Sequence, residues 1–152
     1  MKTTKAARLM RASVTDSGAQ IFEEEIAGFS IDSRTTGPGE LFFALSPEDY
    51  TRHGFNGTSF ADAHHFIPQA FACGAIAAVA RRERALTDEE LRPFRDRLWL
   101  VEDVIAALQS LAHNVLEVWG RPVIGITGGE DTSVLIARRA ERDRWTGDGS
   151  QW

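Results

Sequence analysis

The chain has 152 residues, of which 43% are hydrophobic and 26% charged, and its formal net charge at pH 7 is −5. This composition indicates a folded chain with one domain of ordinary size and room for a fragment of another, and it excludes an intrinsically disordered protein. The acidic balance argues against general binding to nucleic acid or to an anionic membrane surface, although a local basic pocket for a small anion stays possible.

The numbers and spacing of cysteine and histidine bear on whether the chain could form a disulfide or hold a metal ion. The single cysteine, Cys73, cannot form an internal disulfide, and neither it nor the four histidines show the spacing of metal ligands, so no metal site is predicted. The N-terminus lacks the apolar core of a secretory signal, and no window reaches the roughly 18 apolar residues of a membrane span. A cytoplasmic location without membrane attachment is therefore expected.

The predicted elements alternate between strands and helices. In chain order they are a short helix at 3–10, a half-buried strand at 26–31, a turn at 35–39, an apolar strand at 41–45 and a polar loop at 46–59. A helix at 63–73 follows, which begins near Phe66 because proline fits only its first turn, and which ends at Gly74. Next come a strand of small residues at 75–80, a short surface helix within the charged stretch 81–97, and a strand at 98–101.

The helix at 103–119 has the clearest pattern. Apolar residues recur every three or four positions and predict one buried stripe, formed by Val104, Leu108, Leu111, Val115 and Val118. Asp103 is the candidate N-cap, and Gly120 is the candidate C-terminal stop. A last strand is predicted at 123–126. The alternation predicts an α/β fold, a single three-layer-like domain with a mixed, partly parallel sheet flanked by helices. We assign this domain to residues 1–121, a remnant of a second domain to 122–136, and a charged, disordered tail to 137–152.

Two segments carry candidate binding chemistry. Asp32, Ser33 and Arg34 follow a strand, where a hydroxyl and a planar guanidinium suit a phosphate, although Asp32 and Arg34 could simply pair across a turn. In the loop at 47–54, Tyr50 could stack on a flat base, and a solvated loop is the alternative. No catalytic triad or carboxylate pair can be assembled, so no catalytic residue is predicted.

The third segment resembles a phosphate-binding loop that lacks its working residues. The strand at 123–126 leads into Thr127, Gly128 and Gly129, but Asp131 and Thr132 stand where such a loop needs glycine and lysine, followed by Ser133. One unit charge at about 4 Å is worth roughly 4 kcal/mol at an effective dielectric near 20. Because an attraction is lost and repulsion is gained, we expect no working ATP site, and a weak nucleotide hydrolase is a remote alternative.

Taken together, these stretches resemble the N-terminal signature of the Mur ligases, the ATP-dependent amino-acid-adding enzymes of peptidoglycan synthesis. The matching runs are GFSIDSR at 28–34, GPGELFFAL at 37–45, HFIPQA at 65–70, GAIAAV at 74–79 and VIGITG at 123–128. The resemblance covers roughly residues 3–129. Within the family it is greatest to the branch that adds D-alanyl-D-alanine, and the branch that adds diaminopimelate or lysine is the competing alternative.

The resemblance implies a domain that holds the uridine diphosphate end of UDP-MurNAc-peptide in cell-wall precursor synthesis, a process that shapes the cell. The residues it assigns to this binding are Ile31, Ser33, Arg34, Asp49, Tyr50 and His53. In the family, ATP and Mg²⁺ act in a later domain, so no cofactor is expected in this chain. The loop at 47–54 departs from the family's sequence pattern at Pro47 and at residues 52–54. A non-enzymatic module that binds a UDP-sugar or regulates a partner is the alternative from another class.

Overall fold

The structure, a computed structural model, describes residues 1–14, 24–55, 61–121, 123–126 and 134–137. The chain divides into two compact units, Met1–Asn114 and Val115–Trp152. None of the helices in these described ranges combines the length and the apolar character needed to cross a bilayer.

The first unit is built on a five-stranded sheet with the order β1-β5-β4-β3-β2. Its strands are β1 (Ser13–Val14), β2 (Gly28–Ser30), β3 (Glu40–Phe43), β4 (Ala77–Arg81) and β5 (Leu98–Val101). Strands β2 to β5 are parallel to one another, and only β1 is antiparallel to its neighbour. The predicted α/β fold with a mixed, mostly parallel sheet is confirmed.

Helices cover both faces of this sheet. They are α1 (Thr3–Leu9), α2 (Pro47–Arg52), α3 (Ile67–Ala72), α4 (Arg82–Thr87) and α5 (Val104–Trp119), with 3₁₀ turns at Ala63–Phe66 and Glu89–Arg97. Side chains that alternate along β3, β4 and β5 supply two apolar cores. Phe43, Val79 and Trp99 pack with α1 and α5 on one face. Phe42, Ala78 and Leu98 pack with α3 and α4 on the other, which gives three layers.

Helix α5 is longer than the sheet it covers. Its first half is buried at Val104 and Leu111, as predicted, but Val115 and Val118 are exposed, so the prediction of a buried stripe along the whole helix was wrong. Sixteen helical residues span about 24 Å, whereas strands of four or five residues span about 13–17 Å. The exposed apolar residues of the helix, from Val115 onward, belong to the second unit.

A helix replaces part of the predicted polar loop at 46–59. Ser46 and Asp49 form a reciprocal capping box, and proline occupies the first helical turn, so residues 47–52 become α2. The loop prediction was wrong for these residues because the serine, the proline and the aspartate were interpreted as turn residues, whereas here they cap and begin a helix. Near the predicted start at Phe66, α3 begins at Ile67 and accommodates Pro68 in its first turn.

The turn at 35–39 is tied to the end of α3 through main-chain groups. Gly74 terminates the helix with φ +103°, and a β-carbon there would lie 3.0 Å from Pro38 Cα. The Gly39 N–H donates to the Gly74 carbonyl over 2.9 Å. We call this contact of Pro38, Gly39 and Gly74 the turn–helix junction. It fixes the distance between the segment after β2 and α3.

In the second unit, β6 (Val123–Ile126) forms where a strand was predicted, and it pairs antiparallel with β7 (Val134–Ala137), which was not predicted. The degenerate loop residues Thr127, Gly128, Gly129, Asp131, Thr132 and Ser133 lie outside the described residues, as does the predicted tail after Ala137. The division proposed for residues 1–121, 122–136 and 137–152 stays a prediction.

Candidate functional site

A cavity of about 620 Å³ lies in the first unit, where β2 and β3 end. In parallel α/β sheets, ligands bind beyond the carboxyl ends of the strands, and pockets for small molecules have volumes of this order. Four of the predicted binding residues line it: Ile31, Ser33, Arg34 and Tyr50. Its other lining residues are Asp32, Phe42, Leu45, Ala61, Ala63, Phe66 and Gln69. The fold thus brings together the two segments that the sequence singled out separately.

The segment after β2 is a tight turn organised by Asp32. Its carbonyl oxygen accepts the N–H groups of Thr35 and Thr36, and the Thr36 hydroxyl donates to the same oxygen over 2.9 Å. The Ser30 hydroxyl also donates to this carbonyl. These bonds satisfy the main chain locally and place successive side chains around the mouth of the cavity.

Arg34 and Asp32 form a bidentate pair on this turn. Arg34 Nε donates to Asp32 Oδ1 over 2.9 Å, and Nη2 donates to Oδ2 over 2.7 Å. These bonds, with that from the Arg34 main-chain N–H, lower the pKa of Asp32 to about 2. The pairing considered for these residues on sequence grounds does occur, and it holds the exposed guanidinium beside the cavity.

Ser33 is held below the surface of the cavity. It is 6% exposed, and its hydroxyl donates to Gln69 Oε1 on α3 over 2.9 Å. Gln69 was not predicted as a site residue, because one polar side chain in a helical run gives no signal of its own. The run HFIPQA, which contributed to the family resemblance, was the available pointer to it.

Aromatic rings supply the apolar part of the lining. Phe42 lies in the floor, Tyr50 projects from α2, and Phe66 stands 42% exposed. The Tyr50 ring meets the Phe55 ring edge-on, with centroids 6.1 Å apart. Burial, helped by the Asp49 charge, raises the pKa of Tyr50, so its phenol is neutral at physiological pH. A flat, uncharged ring system could stack in this lining.

Asp49 does not line the cavity, although it was predicted to contact the nucleotide. Its side chain is fully buried, and Oδ2 accepts the Ser46 N–H and hydroxyl over 2.9 and 2.7 Å. Oδ1 accepts Arg81 Nη1 over 3.1 Å and the Val104 N–H over 3.2 Å. Both carboxylate oxygens of Asp49 are therefore engaged, and they link α2 to β4 and α5. This link fixes the helix from which Tyr50 projects.

His53, the remaining predicted contact, also lies outside the cavity lining. Its Nε2 is 3.0 and 3.1 Å from the two carboxylate oxygens of Asp103 at the start of α5. Asp103 also caps that helix by accepting the Ala106 N–H over 2.8 Å. Burial raises the pKa of Asp103, but the bonds from Ala106 and His53 outweigh it and the pKa is lowered. His53 therefore anchors the end of α2 to α5.

His64 is a fully buried histidine with both ring nitrogens engaged. Nε2 accepts the Arg81 N–H over 3.0 Å, so the ring proton is on Nδ1, which donates to Asp62 Oδ1 over 2.6 Å. Burial lowers the pKa of His64, and the opposing attraction of Asp62 does not cancel that effect. The neutral ring is the form that the fold requires.

We expect the chain to lose stability as the pH falls below about 6.5, the ordinary pKa of histidine. Because the folded pKa of His64 lies below its unfolded value, the unfolded state binds the proton first, at up to about 1.4 kcal/mol per pH unit. Urea denaturation at several pH values measures this slope. His64→Gln should remove it and His65→Gln, at an exposed neighbour, should retain it; an unchanged slope in the first variant would contradict the assignment.

A second concavity of about 520 Å³ lies beside α1 and the start of α5. Its acidic members, Glu102 and Asp103, are already bound to Arg82 and His53 respectively. Because of these carboxylates, this concavity is less suited to an anionic ligand than the first cavity is. Among the described residues, no group of three histidine, cysteine or carboxylate side chains is arranged to hold a metal ion.

No family model matches the chain. It is 36% identical over 97 residues, 64% of its length, to the UDP-N-acetylmuramoyl-tripeptide–D-alanyl-D-alanine ligase of Synechocystis. It is 32% identical over 103 residues, 68% of its length, to the enzyme of that name from Bacillus subtilis. The chain spans 18% and 19% of these two relatives.

The fold has a counterpart among solved structures. The crystal structure of MurF from Acinetobacter baumannii superposes with a TM-score of 0.50 at 23% identity, covering 77% of this chain and 21% of that one. This likeness supports the three-layer fold described above. The two sequence relatives, which match about two thirds of the chain, confirm the family resemblance: the chain is a relative of the Mur ligases.

Proposed function

We propose that the cavity binds the uridine diphosphate end of a UDP-MurNAc-peptide, and that this domain anchors the substrate in cytoplasmic peptidoglycan precursor synthesis. The relatives are named for a UDP-N-acetylmuramoyl-tripeptide, which has a flat base, two phosphates and a sugar. The branch that adds D-alanyl-D-alanine is the one we propose, because both relatives carry that name.

One observation carries this proposal. Ile31, Ser33 and Arg34 from one strand end, and Tyr50 from the helix after the next strand, line a single cavity. Stacking surfaces, a held hydroxyl and a guanidinium are the groups that a nucleoside diphosphate requires. The base would lie against the aromatic lining. The phosphates would lie towards Arg34 Nη1, because Nε and Nη2 of that guanidinium already donate to Asp32.

We propose further that this chain does not catalyse ligation by itself. The sequence after β6 resembles a phosphate-binding motif without its working residues. Two acidic residues, Glu130 and Asp131, stand within the motif, and Thr132 stands where the motif has lysine. Each close like charge opposes binding by several kcal/mol at an intermediate dielectric. The role of the chain is then binding rather than acyl phosphate formation.

Replacing Tyr50 with alanine should weaken UDP binding about 5- to 150-fold, since loss of stacking on a base costs about 1–3 kcal/mol. Tyr50→Phe, which keeps the ring, should bind nearly as well as the parent chain. Calorimetric titration with UDP and UDP-MurNAc measures both affinities, and ¹⁵N resonances of Ser33 and Arg34 should shift during the titration.

Absence of UDP binding by the unmodified chain would contradict the proposed site. Binding that leaves the resonances of Ser33 and Arg34 unshifted would place the ligand elsewhere. Formation of ligated product from UDP-MurNAc-tripeptide, D-alanyl-D-alanine and ATP by this chain alone would contradict the proposal that it lacks catalysis.

A further inference from the structure

Gln69 is a cavity residue whose side-chain amide is held by another residue of the lining. It projects from α3, whose end is fixed to the turn at 35–39 by the turn–helix junction. Its Oε1 accepts the hydroxyl proton of Ser33, which is itself almost completely buried. A side chain with three rotatable bonds is thereby held at both its root and its tip.

The bond from Ser33 also decides which half of the Gln69 amide is left for a ligand. Because Oε1 faces Ser33, the Nε2 group with its two N–H donors is directed away from that hydroxyl. No hydrogen bond within the part of the chain that the structure describes uses Gln69 Nε2. The cavity therefore contains a donor pair of fixed orientation, which favours a ligand edge that bears a carbonyl oxygen.

We infer that Gln69 is a specificity-determining residue of this site and that its amide donates to a ring carbonyl of uracil, thereby favouring uridine over cytidine nucleotides. The inference rests on the proposed function of the cavity. Uracil bears an acceptor oxygen at ring position 4, whereas cytosine bears an amino donor there. A fixed donor facing that amino group would leave both groups without an acceptor. Gln69 is exposed in the free chain, so this mismatch disfavours cytosine once the bound base covers the amide.

Paired titrations with UDP and CDP test the inference, because the ratio of the two affinities cancels changes in phosphate binding. The unmodified chain should bind UDP about five- to tenfold more tightly than CDP, the amount expected for one hydrogen bond. Gln69→Leu should bring the ratio to within about twofold of unity. Gln69→Glu, which offers only acceptors, should favour CDP.

Two further variants separate positioning from contact. Ser33→Ala retains the Gln69 amide but removes the hydrogen bond that orients it. This variant should therefore show a weaker preference for UDP over CDP. Gln109→Leu is the matched control, because it makes the same change at an exposed position of α5 that lies outside the cavity lining. It should leave both affinities unchanged.

The outcomes distinguish this inference from the function on which it rests. If UDP binds and shifts the Ser33 resonance but the ratio is the same in the parent chain and Gln69→Leu, Gln69 does not determine specificity and the proposed site stands. If UDP does not bind the parent chain, the proposed function and this inference are both overturned. A preference for UDP that Gln69→Leu abolishes and Gln69→Glu reverses would establish the role.

Discussion

Replacing Asp49 with alanine is expected to lower the free energy of unfolding by about 3–5 kcal/mol, the usual cost of removing one member of a buried ion pair. The substitution leaves Arg81, whose side chain is 9% exposed, without its buried partner. It also removes the acceptor for the Val104 N–H and the reciprocal cap of α2. Since domains are stable by only about 5–15 kcal/mol, urea denaturation should show a large decrease in the midpoint.

Glu48→Ala is the matched control for this prediction. Glu48 also contacts Arg81, with Oε2 3.1 Å from Nη2, but its side chain is 69% exposed. Exposed pairs contribute about 0–1 kcal/mol, so the control should be nearly as stable as the parent chain. Asp49→Asn keeps one acceptor oxygen and should fall between the two. Equal stability of the Asp49→Ala and Glu48→Ala variants would contradict the assignment of Asp49 as the buried link between α2, β4 and α5.

The second large effect is expected at the turn–helix junction, where Gly74→Ala should destabilise the chain by about 3 kcal/mol. A backbone with φ +103° is strained for an L residue by about 1–3 kcal/mol. The new β-carbon would also approach Pro38 Cα to 3.0 Å, and because that atom belongs to the main chain the turn itself must move. Denaturation measures the loss, and the Ser33 and Gln69 resonances should shift because the turn and α3 separate.

Gly54→Ala isolates the contribution of the contact. Gly54 also has a positive φ, +82°, but a β-carbon there would meet nothing within 4 Å. Its substitution should cost only the conformational strain, about 1–2 kcal/mol. If the Gly74 and Gly54 variants were equally stable, the approach to Pro38 would carry no energetic weight.

Much of the fold was predictable because its elements have strong local patterns. Apolar runs at 41–45, 75–80 and 98–101 are long enough to be buried strands, and they form β3, β4 and β5. The helix at 63–73 and its stop at Gly74 followed from the conformational rules for proline and glycine. Strand β1, only two residues long, was missed because its pairing with β5 is decided by tertiary contacts.

The lining of the cavity was predictable where a residue's position depends on its immediate neighbours, whereas the binding role of these residues stays a prediction. Ser33 and Arg34 come three and four residues after the end of β2, and such positions lie at the carboxyl edge of a parallel sheet. Asp49 and His53 lie in a segment with the same apparent chemistry, but their partners Val104 and Asp103 are 55 and 50 residues away. No local pattern reports a partner that distant. Gln69 was not predicted for the same reason, since its partner Ser33 is 36 residues away.

The turn–helix junction has a consequence for how this kind of domain could diversify. It is made by the Gly39 N–H, the Gly74 carbonyl and the ring of Pro38, and none of these belongs to a side chain that lines the cavity. Exposed lining residues such as Ile31 and Phe66 can therefore be exchanged without loosening the frame that holds them. Selection for a new ligand could proceed through a few exposed positions while the three glycine and proline sites stay constant.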